Sequence, residues 1–366
     1  MTAGTSDPAT EAPARTEPVL EVTDLKKYFH ASQGLGGGGG LVYAVDGVSL
    51  TIGKGEVVGL VGESGSGKST VGRCIMRLLE PTDGQVRLNG VDVTRLSRRQ
   101  MRPLRREMHM VFQDPYSSLN PRMTAGQIVA EPLRLHGVAR GSEAEDQVAD
   151  LFEKVGLRSE MRFRYPHEMS GGQRQRIGLA RALVLRPSLV IADEPVSALD
   201  VSVQASIINL LMDLQQDMGF SCLFITHALS AVEFISDRVA VMYLGKIVEL
   251  ASRAELFASP KHPYTQALLS AVLAPDPRVQ RERHRVLLPG DIPSPLAPPS
   301  GCNFHTRCPV VEPRNKVEEP ILRRVGGSAH HPSEHWVSCH LVDDDGRAPD
   351  ILRGSGQHSE EGHVHD

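Results

Sequence analysis

An α/β fold built on a mostly parallel sheet is what this sequence predicts, from three observations. Short apolar runs such as EVVGLVG (56–62), SLVIADEP (188–195) and SCLFITH (221–227) have the length and composition of strands buried on both faces. Segments with helical spacing, KSTVGRCIMRLL (68–79) and VSVQASIINLLMDLQQDM (201–218), lie among them. The first apolar run enters a glycine-rich turn that opens directly into a helix.

Residues 1–17 are polar and rich in Pro, Ala and Thr, which predicts a disordered tail. VLEVTDL (19–25) and YAVDGVSLTI (43–52) alternate apolar residues as strands do, and GLGGGGG (34–40) between them reads as a flexible loop. QVRLNGVDV (85–93) reads as two strands joined at Asn89-Gly90. The arginines of 95–106 have no alternating aromatics and fit the solvated face of a short helix better than a nucleic-acid patch. RVAVMYLGKIVEL (238–250) is a further strand candidate. Beyond residue 251 proline becomes frequent and periodicity fades, which marks an extension. The expected organisation is a nucleotide-binding domain over 18–255, the extension over 256–340 and a disordered tail over 341–366.

The 366 residues carry 40 basic and 44 acidic side chains, a net charge of −4 that favours neither nucleic acid nor an anionic membrane. Hydrophobic residues at 40% supply an ordinary globular core. No apolar run approaches the roughly 18–20 residues that cross a bilayer, and the first residues lack the pattern of a secretory signal. Five unevenly spread cysteines do not form a disulfide framework, and Cys74 and Cys222 fall in apolar segments. The expectation is a reduced, cytosolic protein that reaches a membrane only through a partner.

Gly62-Glu63-Ser64-Gly65-Ser66-Gly67-Lys68-Ser69-Thr70 matches G-x-x-x-x-G-K-[ST] between a buried strand and a helix. Glycines let successive backbone N–H groups curl around phosphates, and the helix N-terminus adds a favourable dipole. Lys68 would reach the β- and γ-phosphates, and the Ser69 hydroxyl would ligate Mg²⁺. LVIADEP (189–195) delivers Asp193 at the end of an apolar strand, where a Mg²⁺-organising carboxylate belongs. Glu194 follows, placed to polarise an attacking water.

MSGGQRQR (169–176) adds Ser170-Gly171-Gly172-Gln173, which resembles the signature of ATP-binding-cassette (ABC) ATPases, with Met169 in place of the usual leucine. Gln113 in VFQDP resembles that family's Q-loop, Ser197-Ala198-Leu199-Asp200 its D-loop and His227 in FITHALS its switch histidine. Ala228 departs from the acidic residue that often follows this histidine. Over about residues 19–250 the resemblance implies a P-loop NTPase fold with an antiparallel β subdomain and a helical signature subdomain. It also implies that Phe29 or Tyr28 stacks on adenine. Two cassettes would dimerise head to tail, with each ATP held between one phosphate loop and the other chain's SGGQ. Gln113 would sense the γ-phosphate and Mg²⁺.

FQDPYSSLNPRMTAG (112–126), SPKHPYTQALLSAV (259–272) and GDIPSPLAPPSGCNFHTRCP (290–309) look like the ATPase subunits of bacterial dipeptide and oligopeptide importers. That resemblance implies ATP hydrolysis driving two multispanning permease subunits at the cytoplasmic face of the membrane. A second ABC ATPase chain and, indirectly, an extracytoplasmic solute-binding protein would complete the system. The solute could also be a related one such as nickel. The rival class, a soluble ABC ATPase acting on nucleic acid or ribosomes, normally has two cassettes or a long coiled coil, and this chain has neither. In the resembling importers four cysteines of the extension can hold an iron–sulfur cluster. Here Cys302, Cys308 and Cys339 are present but Asn315 stands at the expected fourth position. A three-cysteine zinc site completed by one of His305, His330, His331, His335 or His340 is the other metal reading.

Overall fold

The computed structural model describes residues 17–31, 40–271, 286–327 and 334–351. The polar N-terminal tail up to residue 16 and most of the glycine tract, within 32–39, lie outside these residues.

The chain begins with β1 (Leu20–His30) and β2 (Leu41–Ile52), continues through β3 (Val57–Val61) into α1 (Lys68–Ile75), and returns by β4 (Asp83–Leu88) and β5 (Val91–Asp92). These strands form an antiparallel sheet in the order β2-β1-β4-β5, except β3, which is the centre of a second sheet. Then follow α2 (Arg98–Leu104), β6 (Met108–Val111) and the short α3 (Pro115–Ser118). A helical layer of α4 (Ala125–His136), α5 (Gly141–Lys154) and α6 (Gly171–Leu183) comes next. The remaining cassette comprises β7 (Leu189–Asp193), α7 (Val201–Met218), β8 (Ser221–Thr226), α8 (Leu229–Ile235), β9 (Arg238–Tyr243) and β10 (Lys246–Ser252).

The parallel part of the second sheet runs β9-β3-β8-β7-β6, with Val58 opposite Leu223 and Ile191 opposite Leu223 from the other side. Every residue of β3, β7 and β8 is buried, which is why these strands read as unbroken apolar runs. One core fills the space between the antiparallel sheet, α1 and this sheet, with Leu20, Val48, Val86, Val71, Ile75 and Leu60 all at or near zero exposure. A second core lies beneath α4, α5 and α6, around Ile128, Phe152 and Ile177. Cys74 and Cys222 are buried as their apolar segments require.

Three sequence expectations shift. The run 238–250 is two strands and not one: Tyr243 pairs with Lys246 across a tight turn at Leu244, whose φ of 41° is left-handed without the Asn or Asp that usually announces such a turn. The helix expected over 68–79 stops at Ile75. The extension is more regular than its prolines suggest. It carries α9 (Arg253–Ala258), which straddles the boundary drawn at residue 255, and α10 (Pro263–Ser270). Two short strands enlarge the sheet to eight: β12 (Trp336–Val337) pairs with β10, and β11 (Arg323–Arg324) pairs with β12. The first residues of the tail drawn from 341 are packed on the extension: Val342 is buried, and Ile351 N–H donates to Gln266 Oε1 of α10 at 3.0 Å. Residues 352–366 lie outside the described part. The arginine stretch does form the short helix α2, capped by Ser97 and Gln100 and buried only at Met101.

Candidate functional site

The phosphate loop leaves β3 at Val61 and enters α1 at Lys68. Two of its glycines are dictated by close backbone approach. A Cβ at Gly67, where φ is 105°, would stand 2.0 Å from the Ala44 carbonyl oxygen. At Gly62 it would stand 2.1 Å from that of Met242. The loop is thus pinned between β2 and β9, while a Cβ at Gly65 would meet only open space. Lys68 is buried, and its Nζ donates to the carbonyls of Gly62 and Glu63 at 2.9 Å each. Burial pulls its pKa below the ordinary lysine value, against the attraction of Glu194, Asp193 and Glu63.

Ser69 Oγ donates to Asp193 Oδ1 at 2.7 Å. Asp193 is 1% exposed at the end of β7, and burial raises its pKa, opposed by the Ser69 bond and by Arg73. A hydroxyl and a carboxylate side by side are hard oxygen ligands, so the pair fits a Mg²⁺ whose other ligands are phosphate oxygens and water.

Glu194 sits one residue beyond. Its φ of 46° is left-handed, and its N–H donates to the Ile225 carbonyl of β8 at 2.9 Å. Two side chains converge on its Oε2: Gln113 Nε2 donates at 3.1 Å, and His227 Nδ1 lies at 3.2 Å. These groups share a cavity of about 710 Å³ with Ser64, Gly65, Gly67, Lys68, Ser69 and Thr70. Val42, Ala44 and Pro295 form another part of its wall. The arrangement can hold an anionic phosphate chain at the loop, a divalent ion at Ser69 and Asp193, and a polarised water beside Glu194.

Other expected site residues lie elsewhere. Ser170, Gly171, Gly172 and Gln173 are outside the cavity at the start of α6, where Ser170 and Gln173 form a reciprocal cap. Gly172 packs so closely on α7 that a Cβ would meet Val203 Cγ1 at 2.8 Å. Asp200 is the N-cap residue of α7, and only its neighbours Ser197 and Ala198 line the cavity. Tyr28 turns its edge to Tyr43, with ring centres 4.8 Å apart, and its hydroxyl donates to Asp46 at 2.6 Å. Phe29 lies beneath the Lys27 ammonium, and neither ring lines the cavity.

The metal expected in the extension is not supported. Among the described residues no group of three or more His, Cys, Asp or Glu side chains is placed to hold a metal ion. Burial raises the pKa of Cys302 and Cys308 and pushes Cys339 up to about 12. The neighbouring histidines are engaged elsewhere: His305 with the Cys302 carbonyl, His335 with Glu249 and His340 with the Glu318 carbonyl. His330 and His331 lie outside the described residues. Asn315, in the place of a fourth cysteine, uses its side-chain oxygen to accept the Glu312 N–H at 2.8 Å.

Sequence reasoning missed Tyr264, Pro295 and Arg307, which bring the extension to the phosphate loop and the cavity wall. The motifs SPKHPYTQALLSAV and GDIPSPLAPPSGCNFHTRCP contained all three, but nothing local to either motif points at residue 63.

Residues 45–197 match the family model described as ABC transporter, and 248–314 match the oligopeptide/dipeptide transporter C-terminal region. The oligopeptide transport ATP-binding protein AppF of Bacillus subtilis (strain 168) is 51% identical over 330 residues, covering 90% of this chain and 98% of that protein. The probable peptide ABC transporter ATP-binding protein y4tS of Sinorhizobium fredii is 52% identical, covering 89% of this chain and 90% of its own length. Among solved structures, the ATP-binding cassette MJ0796, a dimer in a post-hydrolysis state bound to ADP and Pi, is 28% identical. It superimposes with a TM-score of 0.58, covering 64% of this chain and 98% of that one.

Proposed function

The chain belongs to the ATP-binding proteins of oligopeptide and dipeptide ABC transporters, and from that premise we propose how its residues couple ATP hydrolysis to peptide import. The observation that carries this reading is the convergence of Gln113 and His227 on one carboxylate oxygen of Glu194, beside the phosphate loop.

Lys68, drawn from its carbonyl contacts, pairs with the β- and γ-phosphate oxygens, and the loop N–H groups complete the cradle. Ser69 and Asp193 would hold a Mg²⁺, which would supply positive charge against the phosphates. Glu194 takes the proton of the attacking water as its oxygen bonds to the γ-phosphorus and the bond to the β–γ bridging oxygen breaks, which releases ADP and inorganic phosphate. His227 and Gln113 hold Glu194 in line and report the state of the γ-phosphate to their own elements. Ser170 to Gln173 stand outside their own chain's cavity, which supports a head-to-tail pair in which they close the site of a second cassette. Val42, Ala44 and Pro295 offer an apolar wall to the base, with Tyr28 or Phe29 as the stacking ring the family resemblance implies.

The partners are two membrane-spanning permease subunits and a second ATPase chain, with a solute-binding protein acting through the permease. Attachment at the cytoplasmic face of the membrane would come through those subunits; among the described residues no helix is long and apolar enough to cross a membrane. Affinity capture of the chain from solubilised membranes tests this assignment. Recovery of two multispanning proteins with a second cassette is the expected result, and recovery of ribosomes or DNA in their place would overturn it.

A further inference from the structure

Glu63, the second residue of the phosphate loop, is gripped on three sides. Its N–H donates to the Tyr264 hydroxyl of α10 at 2.9 Å. Its carbonyl accepts from Lys68 Nζ at 2.9 Å. Its carboxylate accepts two N–H groups of Arg307, Nη1 at 2.8 Å and Nη2 at 3.2 Å. Both extension residues are themselves fixed. Tyr264 is fully buried against Tyr243, with ring centres 4.8 Å apart, and Phe304 meets the Tyr243 ring edge-on at 5.2 Å. The Arg307 guanidinium is 7% exposed as a residue and lies 6.0 Å from the Tyr243 ring centre. Burial works against its charge, but the hydrogen bonds to Glu63 outweigh that and raise its pKa. The extension also reaches the base side of the same cavity, where the Pro295 carbonyl accepts the Tyr43 N–H of β2 at 3.0 Å.

A bare carboxylate at residue 63 would oppose the negative charge of incoming phosphates and would compete for the Lys68 ammonium. A bidentate guanidinium removes that charge and fixes the direction of the side chain. We propose that Arg307, with Tyr264, is a positioning residue for the phosphate loop, through which the C-terminal extension sets the affinity of the ATP site. The proposal rests on the reading of Lys68 and its loop as that site.

The test is equilibrium titration of a fluorescent N-methylanthraniloyl ATP, with Mg²⁺, into the full-length chain and its variants. Arg307→Gln is expected to weaken binding about tenfold. Glu63→Gln added to Arg307→Gln should return the affinity to within about threefold of the wild type, because the offending charge is gone. A purely structural loss would not be rescued by removing a second partner. Wild-type affinity in Arg307→Gln, or a double variant as weak as the single one, overturns the proposal. Lys68→Ala is measured alongside: if it binds like the wild type, the ATP-site reading itself fails, which is a distinct outcome. Should Arg307→Gln not fold, Arg307→Lys keeps the charge without the fork, and a loss of about threefold is expected. Unchanged affinity in that variant overturns the proposal equally.

Discussion

Glu194 is held at a φ of 46°, a conformation that costs a side chain of this kind roughly 1–2 kcal/mol. The strain is offset by the N–H bond to Ile225, and it turns the carboxylate towards Gln113 and His227. Glu194→Gln keeps that shape and removes the base. Phosphate release should fall on the order of 10²-fold or more, while ATP binding measured by titration stays within the wild-type range. A variant that turns over at the wild-type rate would place the base elsewhere. Lys68→Ala is expected to have the opposite profile, losing nucleotide affinity by at least about tenfold because the variant removes the ammonium held at the loop carbonyls of residues 62 and 63, the charge proposed to pair with the phosphates. Its far-ultraviolet circular dichroism should still show the wild-type fold. Both residues were legible in the sequence, since Gly62 to Thr70 and Leu189 to Pro195 are local patterns that carry their own strand and helix context.

The extension is joined to the cassette by a polar contact that no local pattern marks. Glu249 on β10 is fully buried and accepts from Lys261 N–H at 2.6 Å, from His262 N–H at 3.0 Å and from His335 Nε2 at 2.7 Å. His262 caps α10 by accepting the Tyr264 N–H on Nδ1 at 3.0 Å. Burial drives the His262 pKa from 6.5 to about 4, against the pull of Glu249. A histidine depressed in the folded state stabilises the fold fully above its unfolded pKa, and that contribution is lost as the pH falls from 6.5 towards 4. At its limit the loss is about 3 kcal/mol. Urea midpoints should therefore decline across that window, and His262→Asn, which keeps a capping oxygen without titrating, should flatten the decline. An equal slope in the variant would contradict the assignment. The cysteines belong to the same element. With no metal-holding group of side chains among the described residues and His305, His335 and His340 engaged elsewhere, the anaerobically purified chain should contain far less than one iron or zinc per molecule by elemental analysis. A full equivalent of either would contradict the geometry. Spacing placed the three cysteines in one extension but could not show where His305, His335 and His340 make their bonds.

At the scale of the molecule, what the sequence left hidden is long range. Arg307 and Glu63 are 244 residues apart, and the pairing of β12 on β10 joins residues 336 and 250 across an irregular segment. Neither contact follows from periodicity, because each is decided by how the extension folds back over the finished cassette. The parallel sheet was legible because its strands are buried on both faces and must be apolar throughout. The fold assembles Lys68, Ser69, Glu194, Gln113 and His227 around one cavity, with Asp193 bonded to Ser69, and leaves the Ser170 cap outside it. In the proposed head-to-tail pair that cap would complete a second cassette's site and so tie hydrolysis to the approach of the two chains. The most direct measurement is uptake of a radiolabelled oligopeptide by cells whose only copy of this chain carries Glu194→Gln. The account predicts that uptake falls to the level of cells lacking the chain, with the variant protein present in normal amount. Uptake at the wild-type rate in those cells would contradict it.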